Sequence, residues 1–266
     1  MKRVYLMSKI ILITILLVLF TRETSWQYIG LFMLISLIAV TIFTLTSLYL
    51  LGKYYLWQYK RGKKMDKEKI FGIVQKYIRL VNHLFRIDTK ITGYENYDPS
   101  HNYLITPNHQ SNQDILIMID IMKDPILFVS KFSMSRVIMV KDWMFLLGCL
   151  YLKKDDLRDQ MKVLKNVVTK LNDGHNVVLY PEGRRSYESK MNEFKSGAFK
   201  MGLRSQHPIL PITLNHVHKF KHNFPFRKTT ITVHIHKPIF YETYHHLKTN
   251  EISDLVKETI QSKIVE

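Results

Sequence analysis

The sequence predicts an α/β domain built on a mixed sheet with flanking helices, preceded by an N-terminal hydrophobic helical hairpin. Two observations carry this expectation. Two apolar runs lie close together near the N-terminus, and from residue 70 onward short β-rich runs alternate with stretches whose apolar residues recur at helical spacing. Tyr28–Leu51 holds no charged residue across 24 positions, enough for a helix to cross a hydrocarbon core of roughly 30 Å. The earlier run Ile10–Phe20 is shorter, and Val4–Phe20 reaches spanning length only by including Lys9, whose ammonium can snorkel to an interface. Spanning, lying flat and acting as a signal peptide all stay open for it. Lys2 and Arg3 fit a signal peptide, but no small-x-small cleavage site follows Phe20.

Two helices joined by residues 21–27 would form a hairpin with both outer ends on one side. Lys2 and Arg3 flank one end, and Lys53, Lys60, Arg61, Lys63, Lys64, Lys67 and Lys69 flank the other, which by the positive-inside rule puts both on the cytoplasmic face. The resulting division is 1–52 for membrane-anchoring helices, 53–69 for a basic juxtamembrane linker and 70–266 for the soluble domain.

Beyond the linker, Ile70, Ile73, Val74, Tyr77, Ile78, Val81, Leu84 and Phe85 mark one amphipathic helix. Extended segments follow at 90–94 and 103–106, then a helix near 113–122 and an extended segment at 126–129. A helix over 134–147 and an extended segment over 150–153 come next. Asp155 or Asp156 caps a helix with Leu157, Met161, Leu164, Val168 and Leu171 inside and Gly174 at its end. Strands are expected at Val177–Tyr180, Ile209–Leu214 and Thr230–His236.

The formal net charge of +17 over 266 residues demands a negatively charged partner. The crowding of basic residues just after the spanning segment favours a lipid surface over nucleic acid, because no helix-turn-helix, zinc spacing or aromatic RNA-binding signature accompanies it. Cys149 is the single cysteine, so no intramolecular disulfide forms. His216, His218, His222, His234, His236, His245 and His246 invite a metal, but no cysteine or acidic cluster completes a coordination set, and none is expected.

Two blocks carry chemistry. In Pro107-Asn108-His109-Gln110-Ser111-Asn112-Gln113-Asp114, a histidine has a carboxylate five residues on, a general base with a group to fix its tautomer. In Tyr180-Pro181-Glu182-Gly183-Arg184-Arg185-Ser186, a glycine turn bears arginines suited to an anionic substrate. The bare spacing recurs at His83 and Asp88. In a continuing helix residues five apart point about 140° from one another, so that copy is read as structural. His109 instead lies in a polar turn after a strand, able to fold Asp114 onto its ring. The competing reading, in which Asp114 only caps a helix, is weakened because Ser111 and Asn112 can do that.

Taken in order, these blocks resemble the lysophosphatidic acid acyltransferase (1-acylglycerol-3-phosphate O-acyltransferase) family of glycerolipid acyltransferases. Gly148-x-x-Tyr151-x-x-Lys154 is similar to the family's Gly-x-x-Phe-x-x-Arg block, Pro208-Ile209-Leu210-Pro211-Ile212 to its Pro-x-x-Pro-Val block, and Ile91–Asn96 to the stretch preceding the histidine. The resemblance covers roughly residues 70 to 240.

It implies attack of an acceptor hydroxyl on an acyl thioester, from acyl-CoA or acyl-carrier protein, with lysophosphatidate as acceptor and no covalent acyl-enzyme. His109 would be the general base and Asp114 its partner. Arg185 would hold the phosphate through its guanidinium fork, Glu182 and Gly183 would organise that site, and Lys131 is a weaker basic candidate. Lys154 replaces the family's arginine and keeps charge without bidentate geometry; Arg184 stands where the family often has threonine. Pro211 is expected near the acyl donor. No cofactor, metal or nucleic acid is implied. Another lysophospholipid acceptor, or a non-catalytic basic membrane-binding protein, remains the alternative.

Overall fold

The computed structural model describes residues 26–138, 140–153, 156–224 and 227–265. The first hydrophobic run, Val4–Phe20, and Lys154 therefore lie outside the described residues. The chain divides into two compact units at Leu51/Gly52.

Helix α1, Trp26–Lys60, contains a stretch from Gly30 long and apolar enough to cross a membrane by length and composition. Leu31, Met33, Val40 and Phe43 are all exposed on it, as expected for a helix that is apolar on all sides and has lipid rather than water for a neighbour. The segment read as linker is helical as far as Lys60. Its first residues belong to the second unit, where Lys53 Nζ pairs with Asp142 at 2.7 Å and a side chain at Gly52 would meet the Trp143 indole.

The second unit is one mixed seven-stranded sheet with helices packed on it. Its strands are β1 (Ile87–Thr92), β2 (Leu104–Pro107), β3 (Ile126–Lys131), β4 (Leu150–Leu152), β5 (Asn176–Val178), β6 (Ile209–Asn215) and β7 (Thr229–Ile235). Their order is β1-β7-β6-β2-β5-β3-β4. All neighbours run parallel except β6 and β7. The central strands are buried on both faces, which is why Leu104-Ile105-Thr106 and Asn176-Val177-Val178 read as continuous rather than alternating runs. β7 alternates, burying Ile231, Val233 and Ile235 between half-exposed neighbours.

Helix α2, Lys67–Leu84, is the amphipathic helix of the sequence, opened by Asp66, whose carboxylate accepts the Lys69 N–H at 3.0 Å. Helix α3, Asp114–Ile121, follows β2 and buries Ile117, Met118, Ile119 and Ile121. The single helix expected over 134–147 is instead a 3-10 turn, Phe132–Arg136, and a short helix α4, Lys141–Leu146. Within the turn the Ser135 hydroxyl donates to the Phe132 carbonyl, the local bonding by which serine competes with a helix.

Helix α5, Leu157–Asn172, is capped by Asp156 rather than Asp155, accepting from Arg158 and Asp159 N–H. Its buried stripe is Val163, Leu164, Val167 and Leu171. Leu157 and Met161, assigned to the inner face from spacing, are exposed, and the buried stripe begins only at Val163. The strand expected over Val177–Tyr180 ends at Val178. Helix α6, Lys200–Ser205, and helix α9, Thr249–Gln261, lie where no element is expected from the sequence, although Ile252, Val256 and Ile260 carry the helical period and are fully buried. Two single-turn helices, α7 (Phe220–Asn223) and α8 (Tyr241–Tyr244), complete the α-helices among the described residues.

Candidate active site

β2 and β5 are hydrogen-bonded neighbours running in the same direction, so the segments leaving their carboxyl ends emerge side by side. One is the turn after Pro107 that carries His109; the other is the turn that begins at Leu179 and carries Glu182 and Arg185. His109 and Glu182, 73 residues apart in sequence, thereby meet at the carboxyl ends of parallel strands, the usual place for a site in such folds.

The histidine turn is pinned on both sides. Asn108 exchanges two hydrogen bonds with the Leu214 backbone of β6, at 2.7 and 2.9 Å. Gln110 accepts the Val217 N–H through Oε1 at 3.0 Å. From the other block, Ser186 N–H donates to the His109 carbonyl at 2.8 Å and Tyr187 N–H to that of Gln110 at 3.1 Å. Glu182 closes the junction: Oε1 accepts the His109 N–H at 2.6 Å, while Oε2 accepts the backbone and side-chain N–H groups of Asn192, both at 2.8 Å. Burial raises the Glu182 carboxyl above its ordinary value, against the pull of these donors.

Asp114 opens α3 and is wholly buried. Its Oδ2 meets His109 Nδ1 at 2.6 Å and accepts the Ser111 N–H at 2.9 Å. Burial pushes this carboxyl above its ordinary value, with the His109 ring pulling it back. A carboxylate on Nδ1 places the proton on that nitrogen and leaves Nε2 as the free base. Tyr180 stacks on the face of the imidazole, centroids 4.1 Å apart.

Arg185 Nη1 donates to the Tyr187 hydroxyl at 3.3 Å, and its Nε is buried with no partner among the described residues. Arg184 Nε donates to Asn192 Oδ1 at 3.2 Å. Gly183 has φ 65°, and a Cβ there would come within 3.2 Å of the Lys195 side chain. Lys131 is exposed at the carboxyl end of β3, on the same edge as His109. Tyr151 is half-buried in β4 opposite Ser130. Pro211 is buried in β6 opposite Thr106. Gly148 lies at the other end of the strands, where φ 81° lets it stop α4 before β4 begins.

The second His–Asp spacing resolves differently from its reading as one continuous helix. α2 ends at Leu84, Arg86 takes φ 56°, and Asp88 falls in β1, where it pairs with Lys228 at 3.0 Å. His83 is exposed. Sequence reasoning missed Asn108, Gln110 and Asn192 as organisers of the site; the amide residues flanking His109 were the visible signal for the first two, and nothing local marks Asn192. Among the described residues no group of three or more His, Cys, Asp or Glu is placed to hold a metal.

Residues 88–215, which run from β1 to β6 and include the histidine turn, match the family model described as Acyltransferase. The chain is similar to proteins described as 1-acyl-sn-glycerol-3-phosphate acyltransferases. It is 27% identical over 161 residues to the human 1-acyl-sn-glycerol-3-phosphate acyltransferase alpha, a match covering 60% of this chain and 56% of the relative. It is 24% identical over 196 residues to the 1-acyl-sn-glycerol-3-phosphate acyltransferase of Borreliella burgdorferi, covering 73% and 78%. The chain spans little more than half the length of the mammalian relatives it matches. Its fold is shared with the crystal structure of the 1-acyl-sn-glycerophosphate acyltransferase of Thermotoga maritima, with a TM-score of 0.64, 20% identity and coverage of 84% of this chain and 94% of that one.

Proposed function

We propose that the protein is a membrane-anchored acyltransferase that moves a fatty acyl group from a thioester donor, acyl-CoA or acyl-carrier protein, to lysophosphatidate, giving phosphatidate. The observation that carries this reading is the contact of His109 Nδ1 with buried Asp114 at 2.6 Å, in a turn bonded directly to the Glu182–Arg185 block. His109 Nε2 takes the proton of the acceptor hydroxyl as its oxygen attacks the thioester carbonyl carbon, and Asp114 stabilises the imidazolium. Collapse of the tetrahedral intermediate breaks the C–S bond, and the thiolate leaves with the proton held by His109. Neither metal nor cofactor is needed.

Arg185 is assigned to the acceptor phosphate. Its buried, unpartnered Nε supports this, since a desolvated guanidinium N–H without an acceptor suits an incoming anion. Arg185→Lys keeps the charge and loses the planar fork, so the apparent KM for lysophosphatidate should rise more than that for the donor. A variant impaired only toward the donor sinks the assignment. Transfer to another lysophospholipid is a second reading, favoured by Lys154 standing where the resembled family has arginine. An assay of the full chain against lysophosphatidate and a zwitterionic lysophospholipid separates the two. The cytoplasmic orientation of the catalytic domain rests on the basic residues flanking the apolar run.

A further inference from the structure

Asp114 holds His109 by one edge of its ring, and a single edge contact leaves the imidazole free to tilt about that bond. The opposite constraint comes from Tyr180. Its ring lies against the imidazole face with centroids 4.1 Å apart and planes 28° from parallel. It reaches there because it follows β5, the strand paired with β2, so its backbone is as firmly placed as that of His109.

The Tyr180 hydroxyl has no part in this. It is buried and unpartnered among the described residues. Burial, followed by the nearby Asp114 charge, pushes the phenol well above its ordinary value, so it stays neutral and keeps its proton. The contact that Tyr180 makes with His109 is therefore through its ring face. That ring presents a negative π face to an imidazole that becomes positive during the reaction, while Asp114 and Glu182 supply negative charge at the turn and the Arg185 guanidinium supplies positive charge near the phenol.

We propose that Tyr180 is a positioning residue for acyl transfer: its ring holds the plane of His109 so that Nε2 has one direction, and its face stabilises the imidazolium formed as the acceptor hydroxyl is deprotonated. The inference rests on His109 being the general base, and it adds a third component to the His–Asp pair.

The experiment measures kcat and KM for both substrates with the full chain in detergent micelles, comparing wild type with Tyr180→Phe, Tyr180→Leu, Tyr180→Met and His109→Ala, each checked for folding by thermal melting. Tyr180→Phe keeps the ring and should hold kcat within about twofold, because an unpartnered hydroxyl contributes little. Tyr180→Leu should lower kcat roughly tenfold with both KM values unchanged, since the contact matters in the charged state rather than in binding. Tyr180→Met, which fills similar volume without a π face, should behave as Leu does and carries the comparison if Leu melts early. The role of Tyr180 is overturned if a folded Leu or Met variant turns over at the wild-type rate while His109→Ala is dead, if Phe is as impaired as Leu, or if the loss falls on KM. A His109→Ala protein that still transfers acyl groups removes the general base itself, and the role of Tyr180 with it.

Discussion

His109 and Asp114 meet because the chain leaves β2 and turns before α3 begins, whereas His83 and Asp88 are carried into separate elements with their own surroundings. His109→Ala should therefore lower kcat by about 10²–10⁴, the usual worth of a positioned base, and His83→Ala should leave it near wild type. A dead but well-folded His83→Ala protein would reverse the assignment. Glu182 ties the two blocks together. The resemblance has it organise the anion site, and both of its oxygens are occupied by N–H donors from His109 and Asn192. Glu182→Ala leaves those donors without an acceptor at a buried junction, a loss of about 1–3 kcal/mol for each group left unpaired. Chemical unfolding should show the destabilisation and assay should show lost transfer. Full stability with normal activity would mean that the junction is held by the Ser186 and Tyr187 amides alone.

At the scale of elements, local signals worked where caps and periods agreed. Asp156, the helical period and Gly174 at φ 87° bound α5, and Asp156→Ala should lower stability by about 1 kcal/mol in a denaturant melt. Gly93 joins β1 to the turn at Tyr94 with φ 74°, and a Cβ there would lie 2.1 Å from the Ile235 carbonyl oxygen of β7. Gly93→Ala thus combines a left-handed backbone, about 1–2 kcal/mol by itself, with a clash against a strand that cannot retreat. A large fall in melting temperature is expected; a wild-type melt would show that β1 and β7 separate easily. Spacing placed Leu164 and Leu171 of α5 correctly but carried the stripe too far toward the N-terminus, since Leu157 and Met161 are exposed.

At the scale of the molecule, the antiparallel pairing of β6 with β7 buries His236, whose Nε2 lies 2.8 Å from the Thr213 hydroxyl, itself bonded to the Ile260 carbonyl of α9. Burial, with His234 and Lys263 nearby, lowers this imidazole from 6.5 to about 4. A lowered folded value means that the neutral ring is favoured in the native state. Its contribution is complete above pH 6.5 and is lost as pH falls toward 4. The melting temperature should drop across that window, and His236→Gln should flatten the drop. An unchanged slope would assign acid lability elsewhere. Topology is tested separately: labels at residues 2 and 60 should react from the cytoplasmic side, and labels near Ser25 from the opposite side or the interface.

The features legible in the chain before folding are local ones: the apolar run after Tyr28, the alternation of strands and helices, and the two blocks whose residue types suit a base and an anion site. These come from composition and period, which act over a few residues. The adjacency of β2 and β5 belongs to the tertiary structure, since strand order is a choice among nonlocal pairings that no local pattern encodes. That choice seats Glu182 on the His109 amide and Tyr180 on the His109 ring. It also puts Gly148 at the far end of the strands from the histidine although both stand in motifs of the same family, because in a parallel sheet the segments entering the strands and the segments leaving them lie at opposite edges.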